Sequence, residues 1–109
     1  MTGLQSRVNT WQDETFGDLM TYQGIVRKLH EEICELSEAL WRNPATFAEQ
    51  KVRSLDPAKI AEESADVVIV LMGLAKNQGF DLLEEVERKL ETNKARAWEG
   101  TSHVKGTTN

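Results

Sequence analysis

Apolar positions recur at three- and four-residue intervals along most of the chain, which is the period of an amphipathic helix. The clearest stripe is Ile25, Leu29, Ile33, Leu36 and Leu40, predicting a helix from about Thr21 to Arg42. Asn43-Pro44 stops it, because proline pushes the residue before it away from helical geometry. A shorter helix is expected upstream, from Leu4 to Thr15, ended by Gly17 and Asp18. Asp56-Pro57 reads as an N-cap followed by proline at the first helical position, where its missing N–H costs nothing. A third helix then runs to Gln78, with Gly79 as its left-handed terminator. Asp81, with Glu84 three residues on, opens a fourth that ends near Trp98. Residues 45–55 are polar and read as a loop or surface turn; 100–109, rich in Gly, Thr and Ser, read as a mobile tail.

One segment competes with this reading. Val67-Val68-Ile69-Val70-Leu71 is rich in β-branched residues and would suit a strand. The periodic pattern continues on both sides of it, and a lone strand would have no ladder partner, so helix is expected. A helix apolar on nearly every face has to be covered on nearly every face. A chain of 109 residues has too few helices for that, and soluble monomers rarely expose such a patch. The expected fold is therefore all-α, one domain over residues 1–99 with about four helices, completed by assembly into a homo-oligomer, dimer or tetramer.

Composition narrows the function. The net charge of −5 argues against a nucleic-acid partner, which needs a Lys/Arg surface to neutralise phosphates. Cys34 is the only cysteine, so neither an intrachain disulfide nor a thiolate metal cluster can form, and a reducing, cytoplasmic setting is expected. The longest apolar run, Val67 to Leu74, falls far short of the roughly 20 residues of a membrane span.

The chemistry is in the acids. At about 100° per residue, Glu32 and Glu35 lie some 60° apart on the flank of the apolar stripe, with Glu31 further toward the polar face. Glu63 and Asp66 repeat the three-residue spacing, on a line that continues through Val70 and Gly73 into the apolar half of the third helix. Acids on helices are usually solvated or paired with a lysine four residues away, and Glu38, Glu49, Glu84, Glu85, Glu87 and Glu91 are read that way. Two acid pairs on or beside buried faces are different. Gathering four carboxylates there raises their pKa values unless cations or protons compensate. An all-oxygen set suits Mg²⁺, with Mn²⁺ able to substitute, whereas zinc recruits His or Cys. A di-iron bundle requires Glu-x-x-His on two helices, and neither His30 nor His103 follows a glutamate by three.

Glu31-Glu32-x-x-Glu35 followed by Glu63-x-x-Asp66 resembles the E-E-x-x-E…E-x-x-D signature of the MazG-like, all-α nucleoside triphosphate pyrophosphohydrolases. Lys28-Leu29 before the first motif, and Lys89, Asn93 and Arg96 on the last helix, extend the likeness over roughly residues 11–98. The resemblance implies a MazG-like helical bundle that hydrolyses a nucleoside triphosphate to monophosphate and pyrophosphate. It implies Mg²⁺ ligands at Glu32, Glu35, Glu63 and Asp66, and catalytic roles for Glu31, Glu32 and Glu35, with Glu31 a candidate general base. Lys89, Asn93 and Arg96 would then bind phosphate. Trp11, Phe16 and Trp41 are the aromatic candidates for stacking on the base. The stretch Trp11 to Gly17, with Trp98 and His103-Val104, is similar to a branch that includes phage-encoded enzymes acting on dATP or dGTP, which favours a purine over dCTP or dUTP. The reading from another class is a non-enzymatic helical adaptor whose acids are surface charges.

Overall fold

The computed structural model describes residues 3–41 and 55–99, and side chains up to residue 96. All four expected helices are present: α1 Gly3–Phe16, α2 Tyr22–Trp41, α3 Pro57–Gln78 and α4 Leu82–Glu99. A 3₁₀ turn over Gly17–Leu19 joins the first two. No strand occurs among the described residues, and Val67–Leu71 lies in the middle of α3. The fold is all-α. The readings of 45–54 as a loop or turn and of 100–109 as a mobile tail lie outside the described residues, as does the stop at Asn43-Pro44.

Local chemistry sets the limits of α3. Asp56 sits in extended geometry (φ −104°, ψ 100°), and its Oδ1 accepts from the N–H groups of Ala58 and Lys59 at 3.1 and 3.4 Å. At the other end Gly79 takes φ +83°, a conformation a side chain would strain, and its N–H reaches Lys76 O while Phe80 N–H reaches Ala75 O at 2.8 Å. Two residues later Asp81, itself buried, accepts from Glu84 N–H at 3.0 Å and so starts α4.

Helices α2 and α3 form the body of the molecule, packed antiparallel, so that residues late on α2 meet residues early on α3. The apolar core is small: Ile25, Val70, Met72 and Ala75 are the buried hydrophobic side chains among the described residues. The run 67–71 is partly covered within the chain. Val70 is buried and Val67, Ile69 and Leu71 are half-buried, with only Val68 exposed. Further uncovered apolar side chains lie along α2, at Val26, Ile33 and Leu40, and along α4, at Leu83, Val86 and Leu90.

Helix α1 docks on α3 by an unexpected means. Its buried face is polar, made of Gln5, Asn9 and Gln12 at helical spacing, while Leu4 and Trp11 point outward. These amides bond main-chain groups of the neighbouring segment. Gln5 Nε2 donates to Phe80 O at 3.0 Å and Gln5 Oε1 accepts from Leu82 N–H at 2.7 Å. Asn9 Nδ2 reaches Met72 O at 3.1 Å, and Gln12 Nε2 reaches Ile69 O at 2.9 Å. Gly73 makes the approach possible, since a Cβ there would stand 2.9 Å from Gln12 Nε2. Lys76 and Asp13 add an ion pair at the rim.

Candidate active site

Where α2 crosses α3, single carboxylate oxygens of Glu32, Glu63 and Asp66 all lie within 4.8 Å of one another. Glu32 and Glu63 are buried, at 7 % and 4 % exposure, and each has one oxygen, Oε1, with no hydrogen-bond partner. Buried acceptors without a donor carry a desolvation cost of about 1–3 kcal/mol each, more when charged, and native proteins rarely leave them so without a reason. The donor set is all oxygen, three acids converge, and the free oxygens are the buried ones. These residues therefore fit a hard divalent cation such as Mg²⁺.

Their electrostatics agree. Asp66 is exposed as a residue, yet its carboxyl pKa is raised, chiefly because the cleft dehydrates it and then because Glu32 and Glu63 stand close by. Glu35, one turn beyond Glu32, is outside the trio. Its pKa is also raised, first by the charge on Glu32 and next by that on Glu63. Contact with the Glu63 carboxyl adds to the rise, so Glu35 stands beside the trio although its oxygens are not among the three that converge.

Two lysines complete the cluster. Lys28 Nζ lies 3.1 Å from Glu32 Oε2 and 3.6 Å from Glu31 Oε1. Lys59 Nζ lies 2.9 Å from Glu63 Oε2. Both ammonium pKa values are raised, in each case mainly by the hydrogen bond to that glutamate. The sequence reading gave neither lysine a role, although a lysine one turn before a glutamate that borders the core was a visible signal.

These shifts contribute to the pH dependence of the metal-free protein. A carboxyl whose folded pKa exceeds its unfolded one binds more protons when folded, so stability falls as pH rises from the ordinary carboxylate range through the raised value. The lysine contribution is complete below the ordinary lysine pKa and is lost only as pH rises through the raised one. With chelator present, the melting temperature is therefore expected to rise on moving from neutrality into mild acid. A melting temperature that falls over that window would contradict the assignment.

An open cleft of about 750 Å³ leads away from the trio, walled by Trp11 and Phe16 on one side and by Lys28, Glu31, Glu32 and Asp66 on the other. Trp11 and Phe16 meet edge to face, ring centres 5.5 Å apart, both partly exposed to the cleft. The site residues read from sequence thus divide. Glu31, Glu32, Asp66, Trp11 and Phe16 surround one cleft. Glu63 joins it through the trio, and Glu35 with Glu63 and Lys59 lines a second cleft of about 420 Å³ on the opposite flank. Trp41 lines neither, standing roughly 14 Å along α2 from Glu32. Lys89, Asn93 and Arg96 are exposed on α4 and also line neither cleft.

Among the described residues, no helix is long and apolar enough to cross a membrane. No solved structure matched the chain. A dATP/dGTP diphosphohydrolase of Salmonella phage PMBT28 is 31% identical over 96 residues, a match covering 88% of this chain and 27% of the relative. The chain thus spans about a quarter of the length of the curated relative it matches. The model of the MazG-like family matches residues 26–106, a span that holds both acid pairs and begins after α1. With both acid pairs inside that match, the chain belongs to the MazG-like family.

Proposed function

We propose that this chain hydrolyses a purine deoxynucleoside triphosphate, dATP or dGTP, to monophosphate and pyrophosphate in the presence of Mg²⁺. The observation that carries this reading is the pair of buried, unpartnered Glu32 and Glu63 oxygens beside Asp66, with Glu32 and Asp66 lining a cleft walled by aromatic rings.

Glu32, Glu63 and Asp66 would hold the metal, with Glu35 beside them. When bound, it neutralises phosphate charge and lowers the pKa of a water. Glu31 sits in the same cleft with its carboxyl half exposed and is the general base of this proposal, taking the proton from the attacking water. The bond broken joins the α- and β-phosphates, so pyrophosphate leaves and the nucleoside keeps one phosphate. Trp11 and Phe16 offer ring faces and edges on which a purine stacks, and the phage relative's substrates favour a purine.

We propose further that the working form is a homo-oligomer. Uncovered apolar residues on α2 and α4 call for a partner surface, and a second copy's α4 would supply Lys89, Asn93 and Arg96 to the phosphates.

The test is a panel of the common ribo- and deoxyribonucleoside triphosphates, first with Mg²⁺ and then with Mn²⁺, resolving monophosphate, diphosphate and pyrophosphate by chromatography. Monophosphate with pyrophosphate from dATP or dGTP is the expected result. Turnover confined to dCTP or dUTP would reassign the base. No turnover by folded protein with either metal would return the acids to the adaptor reading.

A further inference from the structure

The two buried glutamates use their oxygens in the same asymmetric way. Each gives Oε2 to a lysine one turn earlier on its own helix, and each keeps Oε1 buried and free. Because α2 and α3 run antiparallel, this repeated device sends the two ammonium groups to opposite flanks. Lys28 lines the aromatic cleft, and Lys59 lines the cleft shared with Glu35, Glu38 and Asp56. Both lysine side chains are about half exposed, at 52 % and 54 %, so they reach solvent where Glu32 and Glu63 do not.

Lys28 and Lys59 each offset part of the negative charge that Glu32, Glu63 and Asp66, with Glu31 and Glu35 beside them, bring to the site. A free divalent cation therefore enters against two resident positive charges. A cation arriving with a triphosphate meets a different balance, since the phosphates can take the lysines as the carboxylates take the metal. Resting on the function proposed above, we propose that Lys28 and Lys59 are exchangeable counter-ions that couple cation binding to triphosphate binding. Each ligand strengthens the other, and by linkage the coupling is equal in both directions.

This differs from a purely structural salt bridge. A lysine that only positions its glutamate helps the metal, so its loss weakens metal binding. An exchangeable lysine opposes the lone metal, so its loss strengthens that binding.

The experiment measures Mn²⁺ binding to the full chain by electron paramagnetic resonance, with and without a non-hydrolysable triphosphate analogue. It compares the parent, Lys28→Met and Lys59→Met, with Glu63→Gln as the site control. Each lysine variant is expected to bind Mn²⁺ alone on the order of tenfold more tightly than the parent, with the enhancement by the analogue reduced by a similar factor. Unchanged or weaker Mn²⁺ binding in the lysine variants overturns the inference. If Mn²⁺ binding depends on Glu63 yet ignores both lysines, the metal site stands and only the exchange fails. If Mn²⁺ does not bind the parent, or binds Glu63→Gln equally well, the site itself fails and the inference with it. The device occurs twice, so either lysine variant provides the readout should the other not fold.

Discussion

Asp66→Asn and Glu63→Gln are each expected to lower turnover of the preferred nucleotide by at least about a hundredfold. Both substitutions keep the shape of the side chain and remove one charge from a trio whose members lie within 4.8 Å of one another. The expected signature is unlike that of a damaged fold. Asp66 already has a raised carboxyl pKa, with dehydration and its acidic neighbours as the causes, so the neutral amide relieves strain in the metal-free chain. The melting temperature in chelator should therefore hold or rise. The stabilisation gained on adding Mg²⁺, which follows RT ln(1 + [L]/Kd), should largely vanish. A variant that retains activity within a few-fold of the parent, or keeps its metal-dependent melting shift, would remove Asp66 from the site. For Glu63→Gln, Lys59 loses the charge of its partner, but its half-exposed ammonium group is solvated at little cost.

Gly73→Ala carries the second large expectation, and here two effects oppose each other. Alanine gains about 1 kcal/mol over glycine in a helix interior. Its Cβ would stand 2.9 Å from Gln12 Nε2 and 3.1 Å from Gln12 Oε1, as well as 3.0 Å from Met20 Cε. The methionine tip can move, since its thioether chain is flexible. The Gln12 amide cannot, being held at one end by Ile69 O and at the other by Asn9 Nδ2. Overpacking of this kind costs about 1–3 kcal/mol, and the bonds it breaks add to that. The net result expected is a loss of about 1–2 kcal/mol, or a fall in melting temperature of roughly 5–10 °C. The decisive measurement is a double-mutant cycle with Gln12→Ala. With the amide gone the clash disappears, and Gly73→Ala should become stabilising. An effect of the same sign and size in both backgrounds would show that Gln12 does not set the limit at Gly73.

What could be read from sequence was what depends on near neighbours. Asp56-Pro57 and Gly79 marked the ends of α3 correctly because caps act within a turn of the chain. The repeated spacing of Glu32 with Glu35 and of Glu63 with Asp66 pointed to facing acids, but only three of the four converge tightly, with Glu35 a turn away. Spacing along one helix gives the face a residue occupies, not the height at which another helix crosses. Lys28 was read only as part of the motif and Lys59 not at all, because a lysine four residues from a glutamate is ordinarily a solvated pair. Only the burial of Glu32 and Glu63 changes its meaning. The seam on α1 escaped for another reason. A search for apolar periodicity passes over Gln5, Asn9 and Gln12, although these three follow the helical repeat as faithfully as any leucine stripe.

That seam has a consequence for how freely the chain can change. The bonds from Gln5, Asn9 and Gln12 end on carbonyl groups at Phe80, Met72 and Ile69, and every amino acid carries that carbonyl. The side chains at those positions can be exchanged without removing the atoms that hold α1. Two helices joined through interlocking leucines must drift together or not at all. Here the bonds that hold α1 place no demand of their own on the side chains at Ile69, Met72 and Phe80, and the one position where this contact requires a bare backbone is Gly73.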